Sequence, residues 1–289
     1  MNMRNSTSIP GRNLEARYEK YKSVIRNYTL MNDIFMRNVF KQRECLEYVL
    51  QIIMERQDLH VMEHAIQKDY KNKNLQGRSA IMDCVARDPK GKQFNVEIQQ
   101  DNEGASPKRA RYHSGLMDMN TLNPGQDFDE LPESYVIFIT RNDTLGYDLP
   151  IYHINRKIEE VGKNFPDEAY IIYVNSGKKD DTELGKLMHD LHCKNADEMH
   201  SLVLAKRVRE LKDTPEGVEL MCSEMEKIYS EGREDGEKCG IEKGELKKAK
   251  ETVLSMAEDG MDVKRIARLV KVSEKDVEKW IDENLCTTK

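Results

Sequence analysis

The stretch Ile81-Met-Asp-Cys-Val-Ala-Arg-Asp-Pro-Lys-Gly-Lys-Gln-Phe-Asn-Val-Glu-Ile-Gln99 decides the fold of this chain. Apolar and β-branched residues flank Asp-Pro-Lys-Gly, a pattern typical of two strands joined by a turn. Pro89 suits the first central position of a type I turn, and Gly91 suits the left-handed position that closes a three-residue hairpin loop. The stretch therefore predicts a tight antiparallel hairpin.

The register of this hairpin brings two carboxylates together. If Asp88 faces Lys92, then Asp83 faces Glu97, and directly opposed side chains have Cβ atoms about 5 Å apart. Because side chains alternate along a strand, the second strand has one polar and one apolar face. The polar face carries Asn95, Glu97 and Gln99, and the apolar face carries Phe94, Val96 and Ile98.

Two interpretations of the polar face remain open at this point. Two carboxylates beside an amide are oxygen ligands of the kind that Mg²⁺ prefers, whereas a surface hairpin would turn the same side chains towards solvent. Asp83 favours the cation, because it shares its face with Ile81 and Val85. A carboxylate among apolar neighbours is costly unless it is paired or coordinated.

The order of these residues resembles a known nuclease family. Asp83 followed by Glu97-Ile98-Gln99 resembles the D…ExK core of the PD-(D/E)XK nucleases, with Gln99 in place of lysine. The flanking sequence resembles one branch of these nucleases, the PD-(D/E)XK nuclease family transposases, also called Rpn family recombination-promoting nucleases. That similarity covers residues 30–230 and rests on the runs 78–83, 94–99, 108–112, 131–140, 149–153 and 187–190.

The resemblance implies a fold and a reaction. The fold would be α/β, with a restriction-endonuclease-like core (a mixed central sheet flanked by helices) and a mostly helical C-terminal extension. The reaction would be Mg²⁺-dependent endonucleolytic hydrolysis of DNA, with Mn²⁺ as a substitute ion, in the context of recombination or mobile elements. The implied metal ligands are Asp83, Glu97, the backbone carbonyl of Ile98, and Asp33 or Glu47 from the first long helix. Gln99 would orient the attacking water, which leaves the charge-stabilising role to Arg78, Arg109 or the metal.

Cationic residues follow the hairpin. The sequence predicts a helix over 107–119, begun by Ser106-Pro107, with proline at its first helical position. Its first turns carry Lys108, Arg109, Arg111 and Tyr112, which with Arg78 are the candidates for DNA-phosphate contacts. The alternatives are a solvated helix face for the helical residues, and an ion pair with a neighbouring carboxylate for Arg78.

Composition excludes several classes of protein. The net charge of −6 argues against a globally basic nucleic-acid protein, although residues 4–43 carry nine basic against three acidic residues. No apolar run reaches the roughly 18 residues that a membrane span needs, and residues 1–8 lack an apolar signal segment, so we expect a cytoplasmic protein. The six cysteines form no CxxC pair, and His189 with His192 lacks a third ligand, which disfavours a structural zinc site.

The pattern of the remaining chain divides it into four segments. These are a polar basic arm over 1–28, a nuclease-like domain over 29–195, a charged helical extension over 196–258, and a small helix-turn-helix-like unit over 259–289. Within the second segment we expect helices over 32–56, 156–162 and 184–191, a first strand over 59–68, and buried strands over 135–140 and 169–175.

The C-terminal segments leave their role open. Gly232, Gly236, Gly240 and Gly244 recur every four residues, which suits either a homo-oligomer seam between helices or a flexible linker. The second helix of the last segment carries Glu274, Asp276 and Glu278, so it suits a protein partner at least as well as DNA. The competing hypothesis for the whole chain is therefore a catalytically inactive DNA-binding or self-associating scaffold, or a regulator, acting through these helices.

Overall fold

A computed structural model describes residues 10–70, 80–100 and 102–287 of the chain. The chain divides into two compact units, Met1–Met225 and Glu226–Lys289. The helices are α1 Pro10–Ile25, α2 Asp33–Phe40, α3 Arg43–Ile53, α4 Pro107–Thr121, α5 Glu183–His192, α6 Leu202–Asp213, α7 Pro215–Glu258, α8 Val263–Val270 and α9 Glu274–Thr287. The strands are β1 Glu63–Tyr70, β2 Ala80–Arg87, β3 Gln93–Gln99, β4 Ser134–Thr140, β5 Ile151–Ile154, β6 Lys157–Ile158, β7 Lys163–Asn164 and β8 Ala169–Asn175.

A mixed six-stranded sheet forms the centre of the first unit. Its strand order is β1-β2-β3-β4-β8-β5. The pairs β1–β2, β2–β3 and β5–β8 are antiparallel, while β3, β4 and β8 run parallel. Parallel neighbours need crossover connections, and α4 supplies the one between β3 and β4. This mixed sheet between helices confirms the predicted restriction-endonuclease-like α/β class.

The hairpin of β2 and β3 has the predicted register. Asp88 N–H donates to the carbonyl of Lys92 over 3.0 Å, and Gly91 adopts the left-handed region with φ of 87°. Cα partners run from Arg87 with Gln93 to Cys84 with Val96, the series whose next member is Asp83 with Glu97. The turn chemistry therefore sets which side chains meet on the sheet.

Both faces of β3 are buried, so the solvent-facing hairpin considered above is wrong. The apolar face carries Phe94, Val96 and Ile98 into a core shared with α1–α3, α5 and α6. The polar face lies under α4, whose Ala110, Leu116 and Met117 pack against Val136 and Phe138 of β4. Asn95 and Glu97 are consequently 0 % exposed.

The helix expected over 32–56 is two helices, because Gln42 adopts an extended backbone between α2 and α3. The apolar pairs of α2 and α3, Phe35 with Met36 and Cys45 with Leu46, are ten residues apart. At about 100° per residue this rotates the apolar face by about 80°, so one straight helix would not bury both pairs. The break lets both helices face the sheet.

Two further expectations about the first unit need correction. The first strand begins at Glu63 because Leu59 and Val61 are buried as anchors of the preceding loop. Residues 156–164 form the small hairpin β6–β7 and no helix. Gly162 there has φ of 68°, and its N–H donates to Ile158 O over 2.9 Å, which closes the turn.

The second unit contains the predicted pair of short helices. Asp262 caps α8 by accepting from Arg265 N–H over 3.0 Å, and Lys271 ends it in the left-handed conformation. Val253, Ile266, Val277 and Trp280 form a small core of their own. Among the described residues, no helix has both the length and the apolar character needed to cross a bilayer.

Candidate active site

Asp83 and Glu97 meet where β2 and β3 lie side by side. Glu97 Oε1 lies 3.3 Å from the backbone nitrogen of Asp83, and Asp83 Oδ2 lies 3.4 Å from the backbone nitrogen of Ile98. Each carboxylate is thus held by the other strand's backbone, on a rigid sheet. The structure brings together the three residues that the sequence proposed as the metal-binding core.

Glu97 is a fully buried carboxylate with one oxygen left without a hydrogen bond. Its Oε2 has no hydrogen-bond partner among the described residues, and Arg109 Nη2 lies 3.8 Å away. His113 Nδ1 lies 3.4 Å from Oε1. A buried carboxylate normally has its oxygens satisfied or coordinated, so Oε2 marks a place for a cation.

The surroundings of Asp83 raise the pKa of its carboxyl group. Burial, then the neighbouring charge of Glu97, then that of Asp33, raise the pKa of the Asp83 carboxyl to about 8. Like charges in a desolvated site favour the protonated form of one member. A divalent cation would reverse this by stabilising both carboxylates in the charged form.

Asp33 is the acidic residue of the first helices that reaches this site. It lines the same cleft as Asp83 and is ion-paired with Arg37, whose Nε donates to Asp33 Oδ1 over 2.8 Å. Glu47 lies elsewhere: its Oε2 accepts from Val61 N–H over 2.8 Å, and its Oε1 faces His60. Of the two first-helix candidates, Asp33 is therefore the one beside Asp83.

A cleft of about 490 Å³ opens in front of these carboxylates. Its lining consists of Met31, Asp33, Asp83, Ile98, Gln99, Gln100 and Gly104. Gln99 is half-buried at the end of β3 and shares this cleft with Asp83. Among the residues that the structure describes, this lining has two carboxylates and no basic side chain, so a phosphate would be repelled unless a positive ion were present.

His113 is a site residue to which the sequence analysis gave no role. The His113 side chain lies between α4 and the sheet, is 2 % exposed, and packs its ring against Phe138. Arg109 Nε donates to His113 Nε2 over 3.3 Å, while His113 Nδ1 lies 3.4 Å from Glu97 Oε1. Arg109 and His113 are four residues apart on one helix face, and that spacing is the signal that could have found this pair.

Comparison with known proteins agrees with this geometry. A family model described as PD-(D/E)XK nuclease family transposase matches residues 31–284. The chain belongs to this family. The match extends beyond residue 230, the limit of the resemblance seen in the sequence, and takes in α7, α8 and most of α9. No curated protein and no solved structure matches the chain.

Membership among the PD-(D/E)XK nuclease family transposases supports a nuclease-type function, and nucleases of this kind generally use divalent metal ions. The candidate phosphate-binding side chains fall into two groups. Arg109 turns towards the carboxylates, whereas Lys108, Arg111 and Tyr112 are exposed on the outer side of α4. Arg78 lies outside the described residues.

A second cluster, His189, Asp190 and Cys193, has metal-ligand atoms within 4.8 Å of one another. Asp190 is fully buried, and its two oxygens accept from the backbone N–H groups of His200 and Ser201 over 2.8 and 2.7 Å. Burial raises the pKa of the Cys193 thiol to about 11, which disfavours the thiolate that a metal needs. In this transposase-family chain the cluster holds the start of α6.

Proposed function

We propose that this protein is a metal-dependent DNA endonuclease that hydrolyses phosphodiester bonds at the cleft that Asp83 lines, next to the buried Glu97. The single observation that carries the proposal is the pair of opposed carboxylates, one of them buried with an oxygen that has no hydrogen bond. Residues that only stabilised the sheet would not need two opposed, buried carboxylates. A site that binds a cation would need them.

The residues present fit a hard divalent ion. The ligands would be Asp83, Glu97 and the backbone carbonyl of Ile98, with Asp33 as an additional acidic partner; Mg²⁺ prefers such oxygen ligands and keeps several waters. When bound, the ion would lower the pKa of a coordinated water and neutralise charge on the phosphate. Mn²⁺, which prefers the same ligands, is expected to substitute.

The protein's own side chains would position the reactants. The Gln99 amide carries no charge, but its oxygen can accept a hydrogen bond from the attacking water and aim a lone pair at phosphorus. Arg109 Nη2 lies 3.8 Å from Glu97 Oε2, so its charge is suited to the charge that develops on the phosphate. Lys108, Arg111 and Tyr112 would hold the neighbouring backbone phosphates, which gives affinity without sequence specificity.

The first experiment is cleavage of supercoiled plasmid by purified protein in Mg²⁺, in Mn²⁺ and in EDTA. Asp83→Asn and Glu97→Gln are the test variants, because both remove charge at nearly constant shape. Asp58→Asn is the matched control: its side chain is 73 % exposed and is paired with Arg56 in the loop before β1. Parallel reactions with single-stranded DNA and RNA examine the substrate class.

We expect metal-dependent cleavage of DNA that both test variants lose and the control keeps. Asp33→Asn should lower activity to an intermediate level and raise the Mg²⁺ concentration needed. Absence of cleavage in every metal, or equal cleavage by wild type and both test variants, would refute the proposal. A protein that binds DNA equally well with and without these carboxylates would then be a scaffold acting through its C-terminal helices.

A further inference from the structure

The turn that follows β3 contains a glycine in close contact with the Gln99 side chain. A Cβ added at Gly104 would lie 2.0 Å from Gln99 Oε1 and 3.0 Å from Gln99 Cδ. The first of these distances is far below van der Waals contact. Gly104 and Gln99 both line the cleft of Asp83, so the contact lies at the candidate active site.

The backbone on both sides of this contact is held in place. Gln99 is paired with Thr140 in the sheet, and its carbonyl accepts from Arg141 N–H over 3.0 Å. The residue after Gly104, Ala105, is fully buried, and its carbonyl accepts from the Tyr173 hydroxyl over 2.8 Å. A methyl group at position 104 would therefore displace the Gln99 amide, since neither backbone segment can retreat.

We propose that Gly104 is a positioning residue, whose missing side chain provides the space that holds the Gln99 amide in the cleft beside Asp83. This inference rests on the nuclease proposed above. It gives a physical reason for the position of a long and flexible side chain that has no hydrogen bond to a charged partner among the described residues. Gly104 itself touches neither substrate nor metal and acts through Gln99.

The cost of filling this space should appear in activity and not in stability. Gly104 is not in the left-handed region, so alanine fits its backbone. The atom that must move is the end of a flexible side chain in a half-open cleft. Gly104→Ala should consequently fold as well as wild type while it misplaces the amide.

A double-mutant cycle on the full chain tests this coupling. We expect Gly104→Ala to lower kcat about tenfold to hundredfold, by the same factor as Gln99→Ala, with KM for DNA changed less than twofold. In the Gln99→Ala background the amide is gone, so adding Gly104→Ala should change kcat by less than about twofold. Gly115→Ala in α4 is the control, because a Cβ there meets no described atom within 4 Å beyond its chain neighbours and the local backbone of its own helix.

A second measurement does not depend on cleavage. The side-chain amide resonance of Gln99, assigned by its loss in Gln99→Ala, should shift strongly in Gly104→Ala and stay in place in Gly115→Ala. An unmoved resonance overturns the displacement. If the two substitutions lower kcat independently, so that their factors multiply in the double variant, the positioning role of Gly104 is wrong but the nuclease proposal stands. If the wild-type protein cuts no DNA, both proposals are wrong.

Discussion

Replacing Asp83 by asparagine should stabilise the metal-free protein while it abolishes the proposed reaction. Burial and the charges of Glu97 and Asp33 raise the pKa of Asp83 to about 8, against about 3.9 for a free aspartate. The folded state then binds the proton more tightly than the unfolded state. This stabilisation is fully present below about pH 4 and is lost as the pH rises towards 8. Asparagine does not titrate and keeps the shape.

The size of the effect follows from the shift. Each pH unit between the two pKa values is worth about 1.4 kcal/mol, so the full shift corresponds to an upper limit of about 6 kcal/mol. Asp83 is only partly buried at the edge of the cleft, so solvent screens part of this effect. We therefore expect the difference in free energy of unfolding between Asp83→Asn and wild type to grow by about 2–3 kcal/mol as the pH rises from 5 to 8.

The assay is urea unfolding in EDTA at several pH values, followed by near-ultraviolet circular dichroism of the tyrosines. Taking the difference between variant and wild type removes the contribution of every other titrating group. The single tryptophan, Trp280, lies in the second unit, so its fluorescence reports a transition that the substitution should leave unchanged. Saturating Mg²⁺ should stabilise wild type and not the variant. A difference that stays constant from pH 5 to pH 8 would refute the reasoning.

Three further outcomes are expected. His113→Leu should destabilise the protein by about 1–3 kcal/mol, because Glu97 loses a buried partner, and should raise the Mg²⁺ concentration for half-maximal cleavage; an unchanged Mg²⁺ requirement would contradict the contact. Lys108→Ala should weaken DNA binding equally for all sequences and reduce the slope of log affinity against log salt by about 0.9, as measured by fluorescence anisotropy; an unchanged slope would remove Lys108 from the interface. Asp190→Asn should lower the free energy of unfolding by about 1–3 kcal/mol through its two backbone hydrogen bonds, yet leave cleavage per folded molecule unchanged. A loss of specific activity in that variant would show that its cluster takes part in the reaction.

Much of the candidate site could be predicted from the hairpin sequence because the information is local. Pro89 and Gly91 select the turn, the turn sets the register, and the register places Asp83 opposite Glu97. The start of α4 is equally local, since Ser106 accepts from Arg109 N–H as its cap and Pro107 occupies the first helical position. Short-range steric and hydrogen-bonding rules suffice for each of these features.

The sequence alone left open which side chains complete the site. The sequence kept both Asp33 and Glu47 as candidates. In the structure Asp33 lines the cleft, whereas Glu47 holds the loop before β1. The sequence did not predict the burial of His113, because the residues of α4 show no clear apolar face. The side chain is buried because α4 packs on the sheet.

By itself, the sequence determined the β2–β3 hairpin, its register and the two opposed carboxylates, since turn geometry and side-chain alternation act over a few residues. The tertiary structure decided that α4 covers the polar face, that Arg109 and His113 approach Glu97, and that Gly104 leaves room for Gln99. These contacts join segments whose approach depends on how whole helices pack on the sheet. Local sequence rules do not predict that packing, because its free energy comes from apolar surface buried between distant parts of the chain.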